Sequence, residues 1–434
     1  MEEKNSGLCS MSTFLLVAFG QIVSVTGSAL TGFVLGAWVY QQTNSTTQYS
    51  LILLFTALPS IFLSPLTGAL VDRWDRRKVM IWSDTGAAVT TAILAILAHF
   101  EILQIWQIYL LTGISSMLRS FQIPAYMASV SLLVPKKQLG RANGIMQFQN
   151  SSRYLISPVL AGFLMEWIGV SGVIAIDLAT FLFAVTTLLM VRFPKVETPP
   201  ARERKPLWRE AADGWKYISI RPGFLWLLLL FGLGNYANLM TDTVLPPMLL
   251  ETNSPAVLGS ILSAGGLGML AGTIVMSLWG GPKRRINGVL VFKTLAGIGV
   301  ILIGFFQSIP LIAAATFLYY FPFPIVNACD QAIWQSKVPQ NMQGRVFAIR
   351  RMLAFCMIPL AYVTAGPLSD GVFKPLLSAG GAWTESLGPV FGIGPERGMG
   401  LLISLMGLLI VTLTLGTALN PRVRKIEEEV PDVV

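Results

Sequence analysis

The sequence predicts an all-α integral membrane protein of twelve transmembrane helices, arranged as two pseudo-symmetric six-helix bundles. Three observations predict it. The 434-residue chain is 53% hydrophobic and only 12% charged, with a mean hydropathy of +0.64. Soluble domains carry about 25% charged residues, so a soluble fold is excluded. Apolar stretches of about 20 residues, the length that crosses a bilayer, recur along the whole chain. Finally, four positions in one loop region recur 204 residues later.

Taken in order, the first helix is expected over 12–39. It follows Glu2, Glu3 and Lys4 and is too long for a cleaved signal. Helices at 49–70 and 79–99 flank the charged run Gly68-Ala-Leu70-Val-Asp72-Arg73-Trp-Asp75-Arg76-Arg77-Lys78. So many charges beside apolar segments belong at a membrane surface. The fourth helix, 103–128, is followed by Pro135, and the fifth, 141–168, opens at Gly140-Arg141. The sixth covers 172–191, and then come 223–250, 255–279, 286–307, 310–334, 343–370 and 397–420. Residues 371–397 read as a long Gly/Pro-rich connection, a lid or a loop. Domain boundaries are expected at 1–191 and 223–434, joined by a linker over 192–222. Trp208, Ala211, Ala212, Trp215, Tyr217 and Ile218 mark an amphipathic surface helix in that linker.

Loop charge sets the orientation. Lys4, the 72–78 cluster, Lys136, Lys137, Arg141, the basic linker, Lys283, Arg284, Arg285, Lys337, Arg345 and Arg422 fall on one side, and only Lys374 and Arg397 on the other. The positive-inside rule then puts both termini and the 68–80 loop in the cytoplasm, with the protein multi-pass in the cell (inner) membrane. The +9 net charge is accounted for by these loops, so no nucleic-acid partner is expected. Cys9, Cys329 and Cys356 lack metal-ligand spacing and His99 has no partner cluster. No metal or cofactor is expected, and with no Ser/His/Asp constellation or phosphate loop, no enzymatic activity.

The repeat pairs Val134-Pro135 and Gly140-Arg141 with Val338-Pro339 and Gly344-Arg345. It extends to Ala161-Gly162 with Ala365-Gly366 and Gly68 with Gly272. Two parallel six-helix repeats about an axis along the membrane normal follow.

At these residues the chain resembles the major facilitator superfamily of transporters. The 68–78 run is similar to that family's signature between helices 2 and 3, matched by Gly68, Leu70, Asp72, Arg73, Arg76, Arg77 and Lys78. Asp75 stands where Gly is commoner, and Met276 replaces the acid in the second half. Arg119-x-x-Gln122 is similar to a pattern of proton-coupled exporters, with Ile123 in place of its Gly. Ser157-Pro158-x-x-Ala161-Gly162 is similar to an antiporter pattern that packs helices closely. Together with Gly20-Gln21-x-x-Ser24, these most resemble the branch of macrolide efflux proteins, the enterobactin exporter and the lysophospholipid transporter.

The resemblance implies a central cavity lined by helices 1, 4, 7 and 10. Polar residues support that choice. Gln21, Ser24, Ser28 and Thr31 lie on one face of helix 1, as do Thr112, Ser115, Arg119 and Gln122 on helix 4. Helix 7 carries Asn235, Asn238 and Asp242; helix 10 carries Tyr320, Asn327, Asp330 and Gln331; helix 5 adds Asn150 and Tyr154. Polar stripes avoid lipid, so these face protein or water. For the Ser and Thr positions, hydrogen bonding between helices is the competing role.

The implied function is export of a hydrophobic or amphiphilic small molecule by alternating access, driven by proton antiport in a monomer surrounded by membrane lipids. Asp242 is the expected titrating acid and Arg119 the charge that tunes it. Asp72 is expected to latch the cytoplasmic side. Asp84, Asp177, Arg153 and Lys293 read as structural charges, Asp84 neutralising Arg76, Arg77 or Lys78. The clustered aromatics Tyr319, Tyr320, Phe321 and Phe323 suit stacking on a substrate. Two alternatives are a lysophospholipid flippase of the same fold and a non-transporting sensor or scaffold.

Overall fold

A computed structural model describes residues 11–71, 74–135, 138–191, 193, 214–424 and 426–429. Among them every regular element is helical. The chain divides into two compact units. Unit one is Met1–Asn44, Leu51–Pro200 and Asn253–Ser260; unit two is Ser45–Ser50, Ala201–Thr252 and Ile261–Val434.

In the first part of the chain lie α1 (Met11–Thr43), α2 (Thr46–Val71), α3 (Arg76–His99), α4 (Ile105–Leu133), α5 (Leu139–Leu155) and α6 (Ser157–Met190). There follow α7 (Pro222–Leu250), α8 (Pro255–Trp279), α9 (Arg285–Phe305), α10 (Ile309–Tyr320), α11 (Pro322–Lys337) and α12 (Gln340–Leu368). A π turn over Ser369–Phe373 leads to α13 (Lys374–Leu377), α14 (Thr384–Phe391), α15 (Pro395–Leu419), α16 (Pro421–Arg424) and α17 (Ile426–Glu429).

Ten of the described helices are long and apolar enough to cross a membrane. The expected count of twelve differs from this for two physical reasons. The fifth and sixth spans are expected as separate helices, and they part at a non-helical kink inside the α6 range, at Gly169 (φ 69°, ψ −178°), so that one range covers both. That conformation strongly favours glycine. The fifth span is also interrupted earlier, where Pro158 in the first turn of α6 restarts the helix after α5. In turn, α4 (Ile105–Leu133) is not among the ten, because Ser115, Ser116, Arg119, Ser120 and Gln122 interrupt its apolar run. A further break splits the expected helix over 310–334 at Phe321, where Pro322 has no N–H to continue the ladder.

Each unit packs in the same pattern. In unit one α1 lies along α6, and α3 contacts α4 and α6; in unit two α7 and α9 lie along α15, and α9 contacts α10 and α11. The repeated Val-Pro loops agree in conformation as well as sequence. Val134 (φ −109°, ψ 130°) and Val338 (φ −104°, ψ 124°) both close a helix in extended form, and both are buried.

The core of unit one gathers Phe14, Val17, Met80, Tyr126, Leu133 and Leu188. That of unit two gathers Phe224, Leu227, Val289, Ile333, Trp334 and Val423. Phe224 stacks on Trp334 with centroids 4.4 Å apart. Ile218, on a helical stretch over 214–219, is fully buried in that core, and Tyr217 donates its hydroxyl to the Lys337 carbonyl at 2.9 Å. Trp208, Ala211 and Ala212 of the expected amphipathic helix lie outside the described residues.

The segment read as a loop over 371–397 is largely helical. Its anchor is Asp370. Backbone N–H groups of Thr46 and Thr47 donate to its carboxylate at 3.0 and 2.8 Å, and the hydroxyls of Ser45 and Thr47 at 2.7 and 2.8 Å. Lys374 closes the set at 3.1 Å. Asp370 thereby caps α2 from more than 300 residues away, and α2 begins at Thr46 rather than at the expected residue 49. An N-cap acceptor contributes about 1–2 kcal/mol. Asp370→Ala is therefore expected to speed amide exchange at Thr46 and Thr47 roughly tenfold or more, read by hydrogen–deuterium exchange with mass spectrometry. Unchanged exchange there would show that the cap is dispensable.

Candidate functional site

Two polar constellations form, one within each unit. In unit one, Gln21 on α1 is the hub. Its Nε2 donates to Asp84 Oδ2 on α3 at 2.9 Å, and its Oε1 accepts from Gln122 Nε2 on α4. Gln21, Asp84 and Gln122 are all buried. Asp177 on α6 accepts from Ser28 and Thr180 hydroxyls, each at 3.4 Å. Arg119 on α4 lies in the field of Asp177, Asp84 and Arg153.

One expectation is corrected here. Asp84 does not neutralise the loop cations, because those are engaged with helix carbonyls: Arg77 donates to the Leu188 and Leu189 carbonyls at 3.0 and 2.8 Å, and Arg76 to the Ala128 carbonyl at 3.2 Å. The Arg77 contacts satisfy the last turn of α6. Within unit one, Arg119 has Asp177 and Asp84 as its nearby acids.

In unit two, Asp242 on α7 accepts from the hydroxyls of Tyr320 and Tyr319 on α10, at 2.9 and 3.2 Å. The two phenols expected to stack on a substrate are thus oriented on this acid. Farther along, Asp330 on α11 pairs with Arg350 on α12. Its other oxygen accepts from Trp334 Nε1 at 2.9 Å. The Arg350 guanidinium lies over the Trp334 ring, 4.7 Å from its centroid, and its Nη1 reaches Gln331 Oε1 at 3.3 Å. Asn235, Asn327, Asp330 and Gln331, four of the expected cavity residues, line one cavity of about 380 Å³.

The remaining expected residues scatter. Ser24 and Thr31 are buried on the Gln21 face of α1, whereas Ser115 and Asn238 are half-buried. Tyr154 is exposed, and the Asn150 side chain lies outside the described residues. So do Asp72 and Arg73 of the gating loop, although Gly68 is placed in the last turns of α2. Pro158, Ala161 and Gly162 do what close packing asks. Ala161 is fully buried, and a Cβ on Gly162 would lie 2.5 Å from the Pro255 carbonyl oxygen.

The second-half counterpart of the charged loop, which has Met276 in place of an acid, recovers one from the end of the chain. Glu427 accepts from the Ile286 N–H at 2.7 Å, capping α9, and Glu428 pairs with Arg284 at 2.9 Å. In the first half that capping role falls to Asp75, which accepts from the Lys78 N–H at 3.2 Å to open α3.

The sequence profile of the Major Facilitator Superfamily matches residues 17–362. The chain belongs to that superfamily. Among its superfamily relatives, macrolide efflux protein A of Streptococcus pyogenes is 25% identical over 363 residues, spanning 83% of this chain and 90% of the relative. Multidrug efflux pump Tap of Mycolicibacterium fortuitum is 23% identical over 371 residues, covering 82% and 89%. The solved structure of the POT family transporter PepTSo superimposes with a TM-score of 0.71 at 11% identity, over 96% of this chain and 99% of that one. A bacterial homolog of the human lysosomal transporter Spinster, inward-facing and unoccupied, gives 0.67 at 12% identity, over 95% and 100%. At such identities these two show the fold alone. The chain is a multi-pass membrane transporter of the superfamily.

Sequence reasoning passed over Arg350, Asp370 and Glu427. The first could have been found by the rule that singled out Arg119, since an ionisable residue inside a span marks a site by default. The other two carry no such signal, because each caps a helix that the sequence places far away.

Proposed function

We propose that the protein exports a hydrophobic or amphiphilic small molecule by alternating access in exchange for protons, with both termini in the cytoplasm. Export is supported by the two efflux relatives, each aligned over more than four-fifths of this chain. Orientation is supported by the lopsided loop charge. The observation that carries proton coupling is the setting of Asp242. Its hydrogen-bond partners are two phenols, and among the described residues no cation pairs with it. An acid so placed can gain or lose a proton without breaking an ion pair, unlike Asp330, which is paired with Arg350. Neutral donors nearby stabilise the carboxylate when it forms, and they can turn to other acceptors when it is protonated.

The test uses protein reconstituted in liposomes with an imposed pH gradient. Wild type is expected to move a fluorescent amphiphile against its gradient, and Asp242→Asn to fall to the level of protein-free vesicles. Undiminished pH-driven transport by Asp242→Asn would remove Asp242 from the mechanism. Transport by wild type that persists after the proton gradient is collapsed would remove proton coupling.

A further inference from the structure

Within unit two the cavity of about 380 Å³ is walled by α7, α11 and α12. Its apolar lining includes Phe231, Trp334 and Phe347, and its charged lining Asp330, Arg350 and Arg351. Immediately behind Phe231 stands a third cation. Lys293 on α9 is only 5% exposed, and its ammonium lies 4.6 Å from the Phe231 ring centroid. A Cβ on Gly234 would come within 2.6 Å of that ammonium, so Lys293 lies directly against the bare backbone of α7.

Two cations, Arg350 and Lys293, therefore act on Asp330, and a third, Arg351, lines the same cavity. Both carboxylate oxygens are already engaged, one by Arg350 and the other by Trp334. Arg351, exposed on the cavity wall, has no hydrogen bond or ion pair among the described residues. Surplus positive charge in an apolar wall is costly unless an anion answers it. An incoming cation would find Asp330 occupied, while an incoming anion would find a guanidinium with unused donors that match a planar or tetrahedral oxyanion. Aromatic rings beside those donors would receive an apolar body. A volume of about 380 Å³ lies within the range of small-molecule sites, about 300–1,000 Å³.

We propose that this cavity is a subsite for the anionic end of an amphiphile, a carboxylate, phosphate or sulfonate attached to an apolar or aromatic body. Arg351 is the ligand-contacting cation, and Lys293 and Arg350 supply the field behind it. The assignment rests on the reading of the chain as an exporter of amphiphilic molecules and narrows it to acidic ones.

Three matched probes test it by isothermal titration calorimetry on the full chain in phosphatidylcholine nanodiscs: naphthalene-2-sulfonate, trimethyl(naphthalen-2-yl)ammonium and naphthalene-2-methanol. The sulfonate is expected to bind about tenfold tighter than the ammonium, the scale of one charge-assisted contact. Arg351→Gln should lower sulfonate affinity about tenfold while leaving the alcohol unchanged, and Arg351→Lys should retain most of the preference. Equal or tighter binding of the ammonium, no sulfonate binding, or an unaltered sulfonate affinity in Arg351→Gln would overturn the proposal. Vesicle efflux is scored apart. A protein that prefers the sulfonate but shows no pH-driven efflux keeps the subsite and loses the export reading; one that pumps but prefers the ammonium does the reverse.

Discussion

Asp330→Asn is expected to destabilise the protein by about 3–5 kcal/mol, and Arg350→Met by less, about 1–3 kcal/mol, although the two residues form one ion pair. The asymmetry follows from sharing. Asp330 is 4% exposed and faces Arg350 directly, with Lys293 also in its field. Removing the acid leaves the buried Lys293 and the half-buried Arg350 without the carboxylate they share. Taking away Arg350 still leaves Lys293 to balance Asp330 and Trp334 to hydrogen-bond it. Methionine also preserves much of the contact with the Trp334 and Phe347 rings that the guanidinium covers, at 4.7 and 5.5 Å. The double variant Asp330→Asn/Arg350→Met should be more stable than the sum of the two single losses, because it removes an ion pair rather than stranding a charge. Equilibrium unfolding in mixed micelles measures all three. Equal losses from the two single variants, or strict additivity in the double, would show that the pair is not an electrostatic unit.

The membrane fold was legible because lipid enforces a rule that few sequences escape: backbone polar groups must be satisfied within a helix, and side chains facing lipid must be apolar. Apolar length and loop charge therefore read directly. The repeat was legible because the Val-Pro and Gly-Arg positions serve the same local purpose twice, ending one helix and opening the next. Breaks inside helices were less so. Pro322 and Pro158 are visible signals, but a proline in a span can be accommodated, kink or restart the helix, and only packing decides which.

Polar sites divided along a similar line. Stripes at helical spacing placed Gln21 with Ser28, and Asn235 with Asp242, on common faces, since that is a property of one helix. Partner choice between helices was not available from spacing. Asp84 turned to Gln21, 63 residues away, rather than to the cations one turn before it, because Arg77 had the carbonyls at the end of α6 to satisfy and Arg76 a carbonyl of α4. Arg119 likewise lies among the acids of its own unit. The acid missing from the second charged loop returned from residue 427, a substitution that no local pattern encodes.

Close packing at Gly162 gives the other large effect. Gly162→Ala is expected to destabilise the protein, and Gly32→Ala to leave it unchanged or stabilise it by up to about 1 kcal/mol, though both place one methyl on a long helix. At Gly32 a Cβ meets nothing within 4 Å, so only the helix preference of alanine remains. At Gly162 it would lie 2.5 Å from the Pro255 carbonyl oxygen and 2.9 Å from the Ala256 Cα. Both obstacles are backbone, so no rotamer relieves the clash and α6 must move away from the start of α8. The reciprocal contact closes the same seam, since a Cβ on Gly259 would collide with the Pro158 carbonyl. Overpacking of this kind costs about 1–3 kcal/mol where side chains can yield, and here they cannot, so Gly162→Ala should reach or exceed that range and Gly162→Leu should prevent folding. Parting the two helices would also break the bond from the Ala256 N–H to Glu166 Oε1, 3.2 Å long, which caps α8. Unfolding midpoints read the first effect and amide exchange at Ala256 the second. A Gly162→Ala protein with wild-type stability and a protected Ala256 amide would mean that α6 and α8 do not meet at this seam.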